Sequence, residues 1–334
     1  MPNLFSPLTV GAVRLANRIA MPPMAQEAAG LDGAPTDRHV DHYFARASRK
    51  VGLVVVEHAF VAPGGRHSPG QLGIHQDSLM PAYARLVEAL RPTGVVVALQ
   101  ISHAGAAANP QLTGDSPVAP SALPLPRQGA TVPRALAVAE LGGLAAAFAR
   151  AAGRARQAGF DAVEVHGAHG FLLSQFLSPL INHRDDDYGG SLTGRARFPL
   201  EVVRAVRESV GASFPLFYRL GMADSLAGNE GLTLDDGLTV AGWLVEAGVD
   251  LLDISGGLGG ARPGGSAAGY FLPWAARARA RVSVPVLVAG GITDPFQADQ
   301  AVRTGMTDLV GVGRGLLADP GWAEKAQQAL GGSE

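Results

Sequence analysis

A (β/α)8 barrel is the fold this sequence predicts, on three observations. Eight short runs rich in Val, Ile and Leu alternate with eight longer amphipathic stretches. The short runs are nearly continuously apolar rather than alternating, as strands buried on both faces must be. A length of 334 residues suits one large α/β barrel, read here as a single domain over residues 1–334. The competing architecture is an open doubly wound sheet. Against it, no Gly-x-Gly-x-x-Gly follows the first run and nothing marks a switch point.

In chain order the strands are expected at residues 18–22, 52–57, 94–101, 160–166, 214–220, 249–255, 284–289 and 307–312. Helices are expected between and after them, at 36–49, 78–90, 137–158, 195–210, 234–247, 273–281, 295–304 and 320–330. Thr36 and Thr233 supply capping hydroxyls, and Pro295 and Pro320, each after an Asp, suit a first helical turn. Gly159 and Gly248 stand where a helix stops and a strand begins. Residues 102–132 and 256–270 are too long for simple connections. They form long loops after strands three and six, leaving from the strand ends where barrel enzymes keep their lids.

Composition narrows the chemistry. A hydrophobic fraction of 47% supplies a large core, and a net charge of −2 gives no reason to expect nucleic acid or an anionic membrane as partner. Zero cysteines exclude disulfides, iron–sulfur clusters and a thiol nucleophile, which fits a cytoplasmic protein. No basic segment leading into an apolar run opens the chain, and no apolar stretch reaches membrane-spanning length.

Active sites of such barrels lie at the C-terminal ends of the strands. There the sequence presents Pro22, Pro23, Met24 and Ala25 from strand one, Glu57-His58 from two, and Gln100 with His103 from three. It adds His166 and His169 from four, Arg219 from five, Ser255 from six, Gly290-Gly291 from seven and Gly313-Arg314 from eight. Glycine turns ending strands seven and eight let backbone N–H groups approach a phosphate, and Arg314 adds charge-assisted bonds; alone, such turns would be only tight turns. The only lysines, Lys50 and Lys325, lie away from this face, which argues against an imine-forming aldolase. His166 and His169 could ligate a metal with Glu57 or Asp253, but Arg219 would point a fixed positive charge into the same cavity, so no metal is expected. A phosphate grip, an arginine, a glutamine and two histidines are what a flavin mononucleotide site requires. Arg219 would face the negative pole of reduced flavin, and Gln100 its pyrimidine edge. The histidines would hold a carbonyl oxygen above the ring.

The chain resembles the Old Yellow Enzyme family of FMN-dependent NAD(P)H oxidoreductases, and more closely its shorter bacterial branch. The resemblance runs nearly end to end. It rests on Asn17-Arg-Ile-Ala-Met-Pro-Pro-Met24, Gln100-Ile-Ser-His-Ala-Gly105, His166-Gly-Ala-His-Gly170, Phe176-Leu-Ser-Pro179, the segment from Asn182 to Gly190, Arg219, Val288-Ala-Gly-Gly-Ile292 and Gly311-Val-Gly-Arg314. It implies that Pro23, Met24, Ala25, Gln100, Arg219, Gly291, Gly313 and Arg314 contact FMN, with Pro22 and Gly290 beside them. It implies that His166 and His169 bind the substrate's activating oxygen, that NADPH or NADH supplies the electrons, and that a small enone-type molecule accepts them. A homo-oligomer would fit the family.

Two departures stand out. Phe171 occupies the place of the family's usual tyrosine, which protonates the α-carbon; solvent, or a phenol such as Tyr270, would have to substitute. Ala25 replaces the usual Cys or Thr, removing a hydrogen bond to flavin O4. Two other readings stay open from the residues: a phosphate-binding lyase or aldolase barrel without flavin, and a flavin-binding protein with little turnover.

Overall fold

The protein is described by a computed structural model, over residues 1–126, 129–225, 231–262 and 267–331. Its eight barrel strands are β1 (Ile19–Met21), β2 (Leu53–Phe60), β3 (Val96–Ser102), β4 (Ala162–Gly167), β5 (Leu216–Gly221), β6 (Leu251–Ser255), β7 (Val286–Ala289) and β8 (Leu309–Gly311). Each pairs in parallel with the next, and β8 closes onto β1 with Val310 opposite Ile19 and Gly311 opposite Ala20. After them come helices α1 (Asp37–Ala47), α2 (Met80–Leu90), α3 (Val138–Gln157), α4 (Leu192–Val210), α5 (Leu234–Glu246), α6 (Leu272–Arg279), α7 (Pro295–Arg303) and α8 (Trp322–Gly331). This is the closed barrel expected from the sequence; the open sheet is ruled out by the β8–β1 pairing.

Apolar side chains separate into two layers. Outward-facing residues such as Val54, Val56, Val163, Val165 and Leu252 meet the helices. Inward-facing Ala20, Leu53, Val55, Val96, Ala98, Ala162, Phe217, Leu251, Leu287 and Leu309 fill the lower barrel. A hairpin, Leu8–Val10 with Val13–Leu15, closes the N-terminal end by burying Val10 and Leu15 against that layer. The sequence reading did not anticipate this plug.

Local chemistry sets most boundaries. Thr233 Oγ accepts from Asp236 N–H, and the Asp236 carboxylate accepts from Thr233 N–H, starting α5 with a capping box. Asp294 accepts from the N–H groups of Phe296 and Gln297, so Pro295 takes the first position of α7. The last helix starts two residues after Pro320 rather than on it. Strand two runs on to Phe60, past its expected end, with pairing resumed at Ala59 and Phe60 beyond a bulge after Val56.

The long loop after β3 is better anchored than its Pro/Gly/Ala content suggests. Residues Val118–Ala119 and Arg134–Ala135 pair as short strands. Arg184 donates to the carbonyls of Pro120 and Leu136. The Asn182–Gly190 motif therefore serves architecture: Asn182 Nδ2 donates to the Phe176 and Tyr188 carbonyls, and Asp186 accepts from Tyr188 N–H.

Candidate active site

Arginine, glutamine and histidine side chains meet above the apolar lower layer, at the C-terminal end of the barrel. Strand alternation sends Gln100, Glu164, His166, Arg219, Asp253 and Ser255 inward, and the register sets Gln100 beside Glu164 and Arg219 between His166 and Asp253. All six are buried.

Arg219 Nε lies 3.0 Å from Asp253 Oδ2, an ion-pair distance without the alignment of a hydrogen bond, so both Asp253 oxygens lack a hydrogen-bond partner. Gln100 Nε2 donates to Glu164 Oε1 at 2.7 Å, and Glu164 Oε2 has no partner. Burial raises both carboxyls above their ordinary range; Asp253 pushes Glu164 further, while Arg219 pulls both back down. One guanidinium thus faces two buried acids, paired with Asp253 and pulling down the carboxyl of Glu164 as well.

His166 and His169 stand above it, ring centroids 5.0 Å apart. Burial comes first in holding both rings neutral, and Arg219 adds to it. His169 Nε2 shares a 2.7 Å hydrogen bond with Ser255 Oγ, while His166 Nδ1 is buried without a partner. His169 adopts φ +57, a left-handed conformation costly for a non-glycine residue, before Gly170 completes the turn. The strand-end turn read from the flanking glycines is therefore made partly by the histidine itself.

The loop after β1 is held from below. Gln26 N–H donates to both carboxylate oxygens of Glu57 at 3.0 and 3.1 Å, and Tyr43 of α1 donates to Glu57 Oε2 at 3.0 Å. Pro22 and Pro23 are buried, Met24 is half-buried and Ala25 is exposed at the rim. Glu57 is thus a support for this loop.

Beside Arg219 a cavity opens between Pro22, Met24, Gly290, Gly291, Gly313, Arg314 and Tyr270. Gly291 has φ +76, and a Cβ there would come within 3.1 Å of the Tyr270 ring and 3.3 Å of Arg314 Nη2. A Cβ on Gly313 would lie 3.0 Å from Met24 Sδ. The turns are therefore cleared to bare backbone under an arginine.

These residues fit FMN. A glycine-walled cleft with Arg314 suits its phosphate, Arg219 suits the electron-rich end of the ring, and His166 Nδ1 is a buried polar atom without a protein partner. Among the described residues no group of three or more His, Cys, Asp or Glu is placed to hold a metal ion.

Comparison with known proteins agrees with this geometry. The sequence pattern of the NADH:flavin oxidoreductase / NADH oxidase family matches residues 3–332. The chain belongs to this family, the Old Yellow Enzymes. It is 40% identical to an NADPH dehydrogenase of Bacillus pumilus, over 98% of this chain and 95% of that one. It is also 40% identical to an NADH oxidase of Thermoanaerobacter brockii over 98% of this chain, and spans about half (51%) of that relative. Morphinone reductase, solved in complex with tetrahydroNAD, superposes with a TM-score of 0.84 at 32% identity, covering 98% of this chain and 91% of the other. FMN with NAD(P)H is accordingly the cofactor pair of this Old Yellow Enzyme.

Within the Old Yellow Enzyme frame, Phe171 is buried with its ring 4.8 Å from His166. Tyr270 lies elsewhere. Its hydroxyl donates to the Ala261 carbonyl at 2.8 Å and its ring covers Gly290 and Gly291. Among the described residues none of its hydrogen bonds or ring contacts is with His166, His169 or Phe171. Its ring lines the same cavity as Gly291, Gly313 and Arg314. His103 is also turned away: its Nδ1 accepts from Gly105 N–H.

Sequence reasoning gave no role to Glu164, Asp253 as partner of Arg219, or Ser255 as partner of His169. The signal existed for two of them. Glu164 and Asp253 stand two residues before His166 and Ser255, so each shares a strand face with a residue already placed at the mouth.

Proposed function

We propose that this chain reduces activated C=C bonds, as an ene-reductase drawing hydride from NAD(P)H. The observation that carries the reading is the neutral pair His166 and His169 beside a cavity floored by Arg219. Bound FMN would supply the two-electron hydride chemistry that links nicotinamide to acceptor. The chain's residues do the rest. His166 and His169 hold the acceptor's carbonyl oxygen and polarise the conjugated alkene so that its β-carbon becomes electrophilic. Their depressed pKa values keep them as neutral donors rather than as acids. Arg219 stabilises negative charge below, and Gly291, Gly313 and Arg314 hold the phosphate end.

Phe171 carries no exchangeable proton and Tyr270 donates to Ala261, which supports solvent as the source of the α-carbon's proton. The acceptor and the nicotinamide use the same mouth, which makes the cycle ping-pong. A small-molecule acceptor, a single catalytic barrel and a cytoplasmic setting complete the proposal. No helix among the described residues is long and apolar enough to cross a membrane.

The test is spectroscopic. Holoenzyme absorbing near ~450 nm should bleach on anaerobic addition of NADPH or NADH and recover on addition of 2-cyclohexenone. Protein that bleaches but does not recover with any enone would be a flavin binder with little turnover. Protein that never takes up FMN would favour the lyase reading.

A further inference from the structure

Strand β2 carries one extra residue against β3. Val56 pairs with Leu99, but Ala59 rather than His58 pairs with Ile101. Before that point Leu53 and Val55 face the barrel interior and Val54 and Val56 face the helices. Unbroken alternation would send Glu57 inward and His58 outward. The bulge reverses them, as bulges beside active sites often do. Glu57 reaches Tyr43 on α1, while the His58 ring meets Phe171 edge-on at 5.2 Å and lies 6.2 Å from His166.

The tautomer of His58 is set by its neighbour. Gln71 Oε1 accepts from His67 N–H at 2.6 Å, which leaves the Gln71 amide N–H to donate to His58 Nδ1 at 2.7 Å. A neutral ring whose Nδ1 accepts carries its proton on Nε2. Burial, then the charges of His67 and Arg219, push the His58 pKa down to about 3. At neutral pH the ring is therefore neutral, and His58 is a hydrogen-bond donor, not an acid. Among the described residues its Nε2–H meets no protein acceptor, and His58 is only half-buried.

We propose that His58 is a third N–H donor to the electron acceptor, selecting alkenes flanked by two activating oxygens, of the maleimide or quinone type. One oxygen rests on His166 and His169 and the other on His58, whose ring centroid lies 6.2 Å from that of His166. The proposal rests on the ene-reductase reading. Electrons and atoms balance as in that reaction: hydride derived from NAD(P)H adds to one alkene carbon and a solvent proton to the other.

The test compares two-oxygen and one-oxygen ligands. Oxidised holoenzyme is titrated with succinimide and with cyclohexanone, neither of which can be reduced at an alkene, and followed by perturbation of the flavin spectrum. Steady-state kinetics are then run with N-methylmaleimide and 2-cyclohexenone, using the wild type, His58→Ala and His58→Gln. In His58→Ala the ratio of kcat/KM for maleimide over cyclohexenone should fall about five- to tenfold, the span of one hydrogen bond. The ratio of succinimide to cyclohexanone affinity should fall in parallel, and His58→Gln, which restores an N–H, should recover part of both. Ratios unchanged in His58→Ala would overturn the proposal. So would a wild type that binds succinimide no tighter than cyclohexanone, which keeps the test alive even if the variants lose flavin. A wild type that reduces neither alkene defeats the ene-reductase reading instead, and the titrations still decide the role of His58.

Discussion

Replacing Arg219 with Met should leave Asp253 as an uncompensated acid inside the barrel. The two groups lie 3.0 Å apart, with side-chain exposures of 7% and 0%. At an effective dielectric of about 20, unit charges at that distance attract by roughly 5 kcal/mol, and breaking a buried pair typically costs about 3–5 kcal/mol. With an unfolding entropy of about 2.1 cal/mol/K per residue over 334 residues, that corresponds to a melting temperature lower by roughly 4–7 °C. The sign of the pH dependence follows from the carboxyl. Burial already raises Asp253 above its unfolded value, and removing Arg219 raises it further. A carboxyl whose folded pKa is raised loses stability as pH climbs from the unfolded toward the folded value. Variant and wild type should therefore converge in acid, where both hold the proton, and separate as pH rises past the point where the wild-type carboxyl ionises. Calorimetry of the apoprotein at pH 5 and pH 8 measures this. Asp253→Asn in the Arg219→Met background should return most of the loss at pH 8. The reasoning is refuted if Arg219→Met melts within about 1 °C of wild type at pH 8, or if the second substitution returns nothing.

Other predictions concern the mouth. Phe171→Tyr places a phenol 4.8 Å from His166 by ring centroid and should speed the oxidative half-reaction about tenfold in anaerobic stopped flow; an unchanged rate would show that proton supply is not limiting. Ala25→Thr adds a hydroxyl at the exposed rim and should raise the flavin midpoint potential by about 20 mV, the two-electron equivalent of a hydrogen bond near 1 kcal/mol; a potentiometric titration with no rise would count against it. Gly291→Ala forces a Cβ to within 3.1 Å of Tyr270 at φ +76, and should weaken FMN binding about tenfold by fluorescence titration of apoprotein. His103 is buried with its pKa lowered to about 4, so the fold keeps it neutral while the unfolded chain protonates it below about pH 6.5. That stability is full above pH 6.5 and is lost as pH falls toward 4, on the order of 2 kcal/mol by pH 5; His103→Gln should flatten the acid limb of a melting-temperature profile.

The barrel was legible because each of its strands is buried on both faces, which leaves an apolar run that no surface strand or solvated helix would carry. The same logic exposed the strand ends, where polar side chains such as His166, Arg219 and Gln100 interrupt those runs, and with them the glycine turns after β7 and β8. Sequence alone also carried the family, through motifs whose roles it could not separate: Asn182–Gly190 reads as strongly as His166–Gly170, yet one ties a loop and the other builds the mouth.

What only the tertiary structure decided was which way particular side chains face and what stands opposite them. Tyr270 read as a candidate donor, and only the fold shows its hydroxyl bonded to the Ala261 carbonyl and its ring against the glycine turn of β7. Asp253 became the counter-charge of Arg219 through a register between β5 and β6 that is not written in either strand. His58 enters the site only because one extra residue in β2 inverts the alternation, and the tautomer it presents depends on Gln71, thirteen residues away. Periodicity is a property of one segment and survives in its letters. Pairing register, bulges and the direction of a proton on a ring are properties of two segments brought together, and they exist only once the barrel has closed.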